Sequence, residues 1–493
     1  MKKHINKILS WLVVVCMLFS SASVNVFAAE LGMNGETIVE EQTEDTSKTG
    51  QETVSTGNTD TDGTNLEEGT ESLQGNSETD LEETANDGDF TSRSLNNEEE
   101  AAVLSLTMGT KPANGTTTGN PFVKGTAGSN SFRIPAMVTL NNGTIVAAAD
   151  ARWNTTYDGG GLDTIVSYST NNGANWNYTF ANYMGDNGNA YNGSESTAFI
   201  DPALATDGST VYMLTDLYPY GVALNGSGNT APSTAVGFNS DGTLKLAANG
   251  SSTYNYYLKD GQIYDSSNNV VSGYTVDAYF NIKGNGYDTN LFFSDSPYQV
   301  VRTGYLYLTK STDGGKTWSE PTLIPNVKTS SEQVCLVGPG RGLVTSDRTI
   351  VFPVYSYNGS STPQYTSFIY SEDNGATWKR SSNATSSMWS SEAAVVELND
   401  GTLRFFFRNG QSKLHYVDYA NSAWGSPVNT GIATNSNTQI SAIKYSKKVD
   451  GKEVILVSCP TGSNGSGSAD SNASARLNGK IFVGYVNSDN TMS

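Results

Sequence analysis

An arginine set inside an apolar run is the first residue in this chain whose surroundings suggest chemistry. Arg133 lies within SFRIPAMV, residues 131–138. Taken alone, an arginine in a β-type run is most often exposed or ion-paired. Its other common use is anion binding, because a guanidinium is always charged and its planar fork meets both oxygens of a carboxylate. The stretch by itself leaves both uses of the arginine open.

Two acids stand where they could serve as proton donors or acceptors. Asp158 lies in ARWNTTYDGGG, 25 residues after Arg133. The three glycines that follow it could let the backbone come close to a ligand. Glu392 lies in WSSEAAVVEL, 16 residues before Arg408. The simpler alternatives are a turn aspartate for the first acid and a solvated charge at a strand end for the second.

The elements that must position these residues are β-strands. From about Leu104 onward the chain consists of short runs such as GTIVAAAD, RTIVFPVYSY and GTLRFFFR, separated by Gly, Asn, Asp and Ser. Strands of four to eight residues with frequent turns, and no long helical period, predict an all-β sandwich, barrel or propeller.

A repeated octapeptide separates these architectures. STNNGANW, STDGGKTW and SEDNGATW occupy residues 169–176, 311–318 and 371–378, each after a β-type run. Such a turn can satisfy itself, because its polar side chains bond the loop backbone while the indole packs on the sheet. The second and third copies start 60 residues apart, about one four-stranded blade with its loops. The repeat predicts a propeller.

The chain before the strands divides into two segments. Residues 1–29 have a basic start, an apolar run and small residues before Glu30, which is typical of a secretory signal peptide. Residues 30–100 hold 21 acidic residues against two basic ones. We therefore predict a disordered acidic leader over 30–104, which carries nearly all of the formal net charge of −20. The protein is expected to be secreted, with no membrane span.

The octapeptides and the SFRIP stretch together resemble the sialidases of glycoside hydrolase family 33. The octapeptides are similar to the Asp boxes of that family, although the first copy has Asn171 in place of Asp. The resemblance covers about residues 105–493 and implies a six-bladed β-propeller. It also implies an exo-sialidase that acts on sialylated glycoconjugates with retention and needs no cofactor.

The resemblance assigns residues as well. It implies that Arg133, Arg408 and Arg476 grip the carboxylate of sialic acid, with the match at Arg476 less clear. Asp158 matches the general acid/base, and Glu392 matches the glutamate that activates a tyrosine nucleophile.

Further positions are expected to contact the sugar. The resemblance implies this for Ile134, for Arg152 and for Asp201 in FIDPAL. A surface arginine and a turn aspartate are the alternatives for the last two. Asp150 is interpreted as a structural carboxylate at a strand end.

The composition excludes other classes of site. With only His4 and His415 in the chain, the His and Cys spacings of a zinc site are missing, and no metal is expected. There is no basic stripe suited to nucleic acid. Cys335 and Cys459 remain after the signal peptide, and either a disulfide or two buried thiols is possible.

Residues from about 218 to 301 fit no blade and are rich in Tyr, Asn and Gly. The resemblance implies an inserted small β-rich domain beside the active site. Some relatives with such an insertion are intramolecular trans-sialidases that release an anhydro sugar, and this product remains open here. A propeller that binds sialoglycans without turnover is the non-enzymatic alternative.

The last expectation concerns the nucleophile. In the family the tyrosine follows the third arginine by some tens of residues, whereas Ser493 is 17 residues beyond Arg476. Tyr485 is the only tyrosine in between and lies in the strand-like KIFVGYV, so we predict that it is a sheet residue. We therefore expect the nucleophile to lie beyond Ser493, and the 493-residue form to bind weakly and turn over poorly.

Overall fold

The chain folds almost entirely into β-strands. The computed structural model describes residues 111–153, 156, 158–184, 197–224, 230–359, 363–409, 413–434, 438–461 and 478–493. Within these residues there are thirty strands and one short 3-10 helix, Thr126–Gly128. The all-β prediction is confirmed. The signal peptide, the acidic leader and Arg476 lie outside the described residues.

The strands are numbered in chain order. The first sixteen are β1 (Gly115–Thr118), β2 (Ser131–Thr139), β3 (Ile145–Arg152), β4 (Leu162–Ser169), β5 (Asn175–Asn182), β6 (Ala198–Thr206), β7 (Val211–Tyr218), β8 (Leu244–Ala248), β9 (Tyr256–Lys259), β10 (Gln262–Asp265), β11 (Thr275–Val276), β12 (Asn281–Gly284), β13 (Tyr287–Asn290), β14 (Tyr298–Val300), β15 (Tyr305–Ser311) and β16 (Thr322–Leu323). The others are β17 (Val334–Val337), β18 (Gly340–Arg341), β19 (Leu343–Val344), β20 (Ile350–Tyr357), β21 (Tyr365–Ser371), β22 (Lys379–Arg380), β23 (Ala393–Glu397), β24 (Leu403–Phe407), β25 (Lys413–Ala420), β26 (Ala423–Trp424), β27 (Val428–Ala433), β28 (Ser441–Lys444), β29 (Glu453–Pro460) and β30 (Gly479–Val486).

Most strands belong to antiparallel meanders, which we call blades 1 to 5. Blade 1 is β2-β3-β4-β5 with β1 at its edge, and blade 2 is β6-β7-β15-β16. Blade 3 is β17-β20-β21-β22, blade 4 is β23-β24-β25-β26, and blade 5 is β28-β29-β30. Neighbouring first strands contact one another, as β2 does with β6 and β23 with β28, so the first strand of each blade is the inner one. This is propeller architecture, and the number of six blades stays a prediction.

Apolar side chains fill the space between blades. One buried cluster joins blades 2 and 3 and includes Leu214, Leu306, Val337 and Phe352. Another joins blades 4 and 5 around Phe406. Because each blade buries side chains on both faces, its strands read as continuous apolar runs more often than as a strict alternation.

The segment between β7 and β15 forms two small sheets, with strand orders β10-β9-β8-β14 and β11-β12-β13. Its core is continuous with blade 2, since Phe292 and Ile282 of the insertion cluster with Phe199 and Leu217. The insertion leaves blade 2 after Tyr218, which pairs with the first residue of β6. It therefore emerges at the end of blade 2 where the inner strand begins.

The repeated octapeptides form turns that hold themselves together. In the third copy, Gly375 N donates to Ser371 Oγ at 2.8 Å and Thr377 N donates to Asp373 Oδ1 at 2.8 Å. The indole of Trp378 donates to Gly375 O at 3.1 Å and is partly buried. The predicted pattern of side chains bonding the loop backbone is present.

Asn171 serves the first turn as well as an aspartate does. Its Oδ1 accepts a hydrogen bond from Ser169 Oγ at 3.0 Å and another from Asn175 N at 3.0 Å. A side-chain amide oxygen can replace a carboxylate oxygen in this role because only acceptors are needed. The departure from the Asp-box pattern therefore has no cost in geometry.

Two further expectations concern single residues. Cys335 and Cys459 are both buried free thiols, and burial raises the pKa of the Cys335 thiol to about 12. The possible disulfide is thus not formed. Tyr485 lies inside β30, opposite Val454 of β29, as the strand pattern predicted.

Candidate active site

The inner strands of blades 1 and 2 share one irregularity. FRIPA at 132–136 in β2 and FIDPA at 199–203 in β6 each interrupt the ladder to the next strand. Ile134 has φ 54° and Asp201 has φ 62°, the left-handed region that side chains other than glycine seldom occupy. The following proline cannot donate to the ladder. A bulge of this kind turns side chains out of the regular alternation and is common beside active sites.

Asp150 lies opposite the first bulge. It pairs with Arg133 in the register of β3 on β2, and its side chain is fully buried. Its Oδ1 accepts a hydrogen bond from Asp201 N at 2.9 Å, so this carboxylate of blade 1 fixes the bulge of blade 2. Asp150 is therefore an interior residue, whereas a strand-end position was expected.

Arg152 connects Asp150 to Asp158. Its Nη2 lies 2.7 Å from Asp150 Oδ2, and its Nη1 lies 2.8 Å from Asp158 Oδ1. The Arg152 side chain is 0% exposed and that of Asp158 is 40% exposed. The surface alternative for Arg152 is thus wrong. The buried guanidinium of Arg152 contacts Asp158 from the interior, and the other side of the Asp158 carboxylate faces solvent.

Arg133 contacts the same acid from β2. Its Nη1 lies 3.2 Å from Asp158 Oδ1 and donates to Thr156 O at 2.7 Å. Its side chain is 35% exposed. The guanidinium of Arg133 is therefore partly accessible to solvent, and Arg133 and Arg152 both contact Asp158.

Glu392 and Arg408 form a second pair. Arg408 Nη1 donates to both carboxylate oxygens of Glu392, at 3.1 and 3.0 Å. The backbone repeats the pairing, since Arg408 N donates to Glu392 O at 2.8 Å. With side-chain exposures of 22% and 13%, neither is a solvated strand-end charge. Burial lowers the pKa of Arg408, but the charge and hydrogen bonds of Glu392 and the charges of Tyr355 and Asp201 together outweigh it and raise that pKa above its usual value.

Asp201 brings the two groups into one site. Burial raises the pKa of Asp201 well above its usual value, and the charges of Asp150 and Glu392 raise it further. Asp158 adds a smaller contribution in the same direction. These charge interactions indicate that Asp201 lies near both pairs. Because Asp201 also lies inside β6 and not in a turn, the alternative of an ordinary turn aspartate is wrong.

Sequence reasoning missed Tyr355. This tyrosine of β20 is buried, and its pKa is raised well above the usual value by burial and then by the charges of Glu392 and Asp201. Arg408 acts in the opposite direction. No signal in VFPVYSY marks it, because a buried tyrosine in an apolar strand is ordinarily a core residue.

Asp216 makes the same kind of contact with a backbone amide as Asp150, one blade further on. It lies opposite Ile200 in the second bulge, is fully buried, and accepts Val337 N of blade 3 at 3.1 and 3.3 Å. Burial raises its pKa well above the usual value. Sequence reasoning missed this residue too, although VYMLTDLY places an acid in an apolar strand as IVAAADAR does.

The described parts of the chain contain no group of three or more His, Cys, Asp or Glu side chains placed to hold a metal ion. They also contain no helix long and apolar enough to cross a membrane.

The fold and the site define a β-propeller with two arginine–carboxylate pairs at the inner-strand starts. The chain belongs to the family of BNR repeat-like domains, whose model matches residues 134–481. The resemblance to sialidases is confirmed by the relatives of this chain. The chain is 30% identical over 415 residues to sialidase B of Streptococcus pneumoniae, and the match covers 73% of this chain and 56% of that protein.

Two more relatives carry related names. The anhydrosialidase of the leech Macrobdella decora is 29% identical over 416 residues, covering 73% of this chain and 52% of the relative. The crystal structure of the intramolecular trans-sialidase of Ruminococcus gnavus matches with a TM-score of 0.65 and 29% identity, covering 76% of this chain and 84% of that one. The chain thus spans about half the length of the first two relatives.

Proposed function

We propose that this protein is a secreted exo-sialidase that releases terminal α-linked sialic acids from glycoproteins, glycolipids and oligosaccharides. The observation that carries the proposal is the placement of Arg133 and Arg408, each paired with a carboxylate that the proposed mechanism requires. A carboxylated sugar needs such a clamp, because paired guanidinium hydrogen bonds fix both the charge and the orientation of its carboxylate.

The acids define the chemistry beyond binding. Asp158 is half-exposed and lies beside the clamp, where it can protonate the leaving oxygen and later accept a proton from water. Glu392, bound to Arg408, is the base that activates a tyrosine nucleophile. A phenol avoids bringing a permanent anion up to the sugar's own carboxylate, and sialidases are an exception to the usual carboxylate pair for this reason. Reaction through a covalent intermediate gives retention.

The substrate-binding assignments extend this site. Ile134 and Asp201 are the left-handed residues of the two bulges, which aim them differently from their strand neighbours. The side chain of Arg152 is 0% exposed, so this arginine acts at the sugar through Asp158 and not by the direct contact that was expected. Arg476 is proposed as the third arginine of the clamp.

The test is release of a fluorescent aglycone from a sialoside by the protein at its full natural length, because the 493-residue form is expected to turn over poorly. Release is expected, with loss in Asp158→Ala. A protein that binds sialosides but releases nothing would instead be a sialoglycan-binding propeller, because binding needs the arginines but neither the acid nor the base.

The intramolecular trans-sialidase is the second candidate, favoured by the names of the leech and Ruminococcus gnavus relatives. The two reactions differ in what attacks the anomeric carbon in the second step. In hydrolysis it is water, whereas in the intramolecular reaction it is a hydroxyl of the same sugar. Mass spectrometry of the product made in heavy-oxygen water separates them, because only hydrolysis incorporates the label and the anhydro product is lighter by one water.

Secretion rests on the segment 1–29. N-terminal sequencing of the protein from the culture medium is expected to begin near Glu30. Retention of the protein in the cells with Met1 intact would contradict the proposal.

A further inference from the structure

One buried arginine in this site serves two carboxylates of very different exposure. Arg152 lies between Asp150, whose side chain is 0% exposed, and Asp158, whose side chain is 40% exposed. The two ion pairs use different nitrogens of one guanidinium, Nη2 at 2.7 Å and Nη1 at 2.8 Å. The single positive charge of Arg152 is therefore shared.

Asp150 is not open to a substrate, because its side chain is 0% exposed. Its Oδ2 is occupied by Arg152, and its Oδ1 accepts Asp201 N from the neighbouring blade at 2.9 Å. A carboxylate held at both oxygens in the interior is rigid, and it acts on a reaction through its charge and through the groups that it contacts.

We propose that Asp150 is a positioning residue for the reaction: through Arg152 it fixes Asp158 and offsets the positive charge that Arg152 presents to it. This rests on the proposed function, in which Asp158 is the general acid. A general acid must hold a proton, and an uncompensated guanidinium at 2.8 Å would favour its ionised form.

The charges around Asp158 show why an offset is needed. Arg133 and Arg152 both contact it, and Asp150 and Asp201 interact with it electrostatically from β3 and β6. The sugar's carboxylate is expected to occupy Arg133 when it binds, which removes one of the two cations from Asp158. Arg152 remains, and Asp150 is the counter-charge that is in direct contact with it.

Asp150 carries that charge over the neutral pH range. Burial raises the pKa of the Asp150 carboxyl to about 6, although Arg152 and the amide of Asp201 act to lower it. Above that pH the carboxylate is ionised and the offset is present.

The experiment compares Asp150→Asn with Asp216→Asn in the full-length protein. Asparagine keeps the size and an acceptor oxygen but removes the charge. The Asp150 variant is expected to shift the alkaline limb of kcat/KM to lower pH by roughly half to one unit, because Asp158 then ionises more readily. At pH 7 its rate on a sialoside with a poor leaving group is expected to fall about 5- to 10-fold, with little change on an activated aglycone.

Asp216→Asn is the matched control. Like Asp150, Asp216 is a buried carboxylate that lies opposite a bulge and accepts a backbone amide of the next blade. That amide belongs to Val337, and the hydrogen bonds of Asp216 go to it and not to an arginine. The Asp216→Asn variant is expected to lower the melting temperature while leaving the alkaline limb in place. An equal shift in both variants would mean that loss of packing, and not the charge on Arg152, is the cause.

Two further variants test whether Asp150 acts on Asp158 through Arg152. Asp150→Glu keeps the charge and is expected to keep the alkaline limb; a shift equal to that of the asparagine variant would overturn the proposal. Arg152→Gln removes the intermediary, so adding Asp150→Asn to it should cause a much smaller further shift, because only the direct charge interaction between Asp150 and Asp158 is then lost. These two variants can be compared even where the single Asp150→Asn variant does not fold, and a shift of half a unit or more between them would overturn the proposal.

The outcomes distinguish this inference from the proposed function. A wild-type protein that releases no aglycone contradicts the function. A wild-type protein that is active, with an Asp150→Asn variant whose pH profile is unchanged, contradicts the inference alone.

Discussion

Arg133 makes two contacts, and a bound carboxylate would replace one of them and leave the other in place. Its Nη1 lies 3.2 Å from Asp158 and 2.7 Å from the carbonyl of Thr156. The carbonyl holds the guanidinium in place, while the weaker contact to Asp158 can be given up to a ligand. At the residue scale, the site is therefore arranged for exchange of one carboxylate for another.

Replacing this guanidinium tests the clamp. Arg133→Ala is expected to weaken the binding of sialic acid by about 2 to 4 kcal/mol, because it removes a charge-assisted pair from a partly desolvated site. Isothermal titration calorimetry measures the change. Arg348→Ala is the control, since Arg348 is 66% exposed and pairs with Asp207 beyond the C-terminal end of β6. An unchanged dissociation constant in Arg133→Ala would rule the clamp out.

The role of Asp158 is tested by its dependence on the leaving group. Asp158→Asn is expected to slow release of a poor leaving group by about a hundred- to ten-thousandfold, and release of an activated aglycone far less, because only the former needs protonation. Glu392→Gln should slow both, since it acts on the nucleophile. Steady-state rates on the two sialosides provide the comparison, and equal losses in Asp158→Asn would contradict the assignment.

Most of the candidate site residues could be predicted from the sequence, but the contacts that link them could not. The apolar setting of Arg133 and the interval from Glu392 to Arg408 led to residues that the structure places together. The role of Asp150 depends on the register that sets it opposite Arg133 and on its contact with a different blade. Neither is visible in a local pattern, so its burial and its link to Arg152 required the structure.

At the scale of elements, the bulged strands β2 and β6 contribute to the chemistry, whereas the turns formed by the repeated octapeptides contribute to stability. The bulges aim residues into the site, while the turns lie where a strand ends and satisfy their own backbone. The turns were predictable because their hydrogen bonds span only a few residues. The bulges were not, because FRIPA and FIDPA look like ordinary strand sequence with one proline.

The third turn makes a testable contribution to acid stability. Hydrogen bonds from the Thr377 hydroxyl and amide lower the pKa of Asp373 to about 2, against an ordinary value of 3.8. A depressed folded-state pKa stabilises the protein above the ordinary value, and that stabilisation is lost as pH falls toward the folded value. Between about pH 4 and pH 2 the melting temperature should therefore fall.

Asp373→Asn should make that fall less steep while leaving stability near neutral pH little changed. Asn171 already fills the equivalent position of the first turn with the same acceptor geometry. Differential scanning calorimetry over this pH range measures the slope. Asp207, whose pKa is also about 2, supplies part of the remaining dependence. A slope identical to that of the wild type would show that Asp373 does not contribute.

At the scale of the whole molecule, the charge is concentrated outside the strands. Residues 30–100 carry 21 of the chain's 49 acidic residues, and the remainder of the protein is close to neutral. The prediction that this segment is disordered rests on its few apolar side chains, which bury too little surface to offset the entropy of ordering it. Its high charge is instead suited to keeping the protein soluble.

Removing residues 30–100 is therefore expected to leave both the melting temperature and the affinity for sialic acid unchanged. Calorimetric melting and titration of the shortened protein provide the measurement, with the intact protein as the control. A clear drop in melting temperature would show that the leader packs on the strands. The length and position of the leader were predicted from composition alone and stay a prediction.

Asp150 and Asp216 each hold a backbone amide across a boundary between blades. An amide hydrogen in such a bond exchanges with solvent only when that boundary opens. The hydrogens on Asp201 N and Val337 N therefore report separation of blade 1 from blade 2 and of blade 2 from blade 3. If both exchange at the rate of global unfolding, the three blades open as one cooperative unit, and the bulge that carries Asp201 stays in place for as long as the protein is folded.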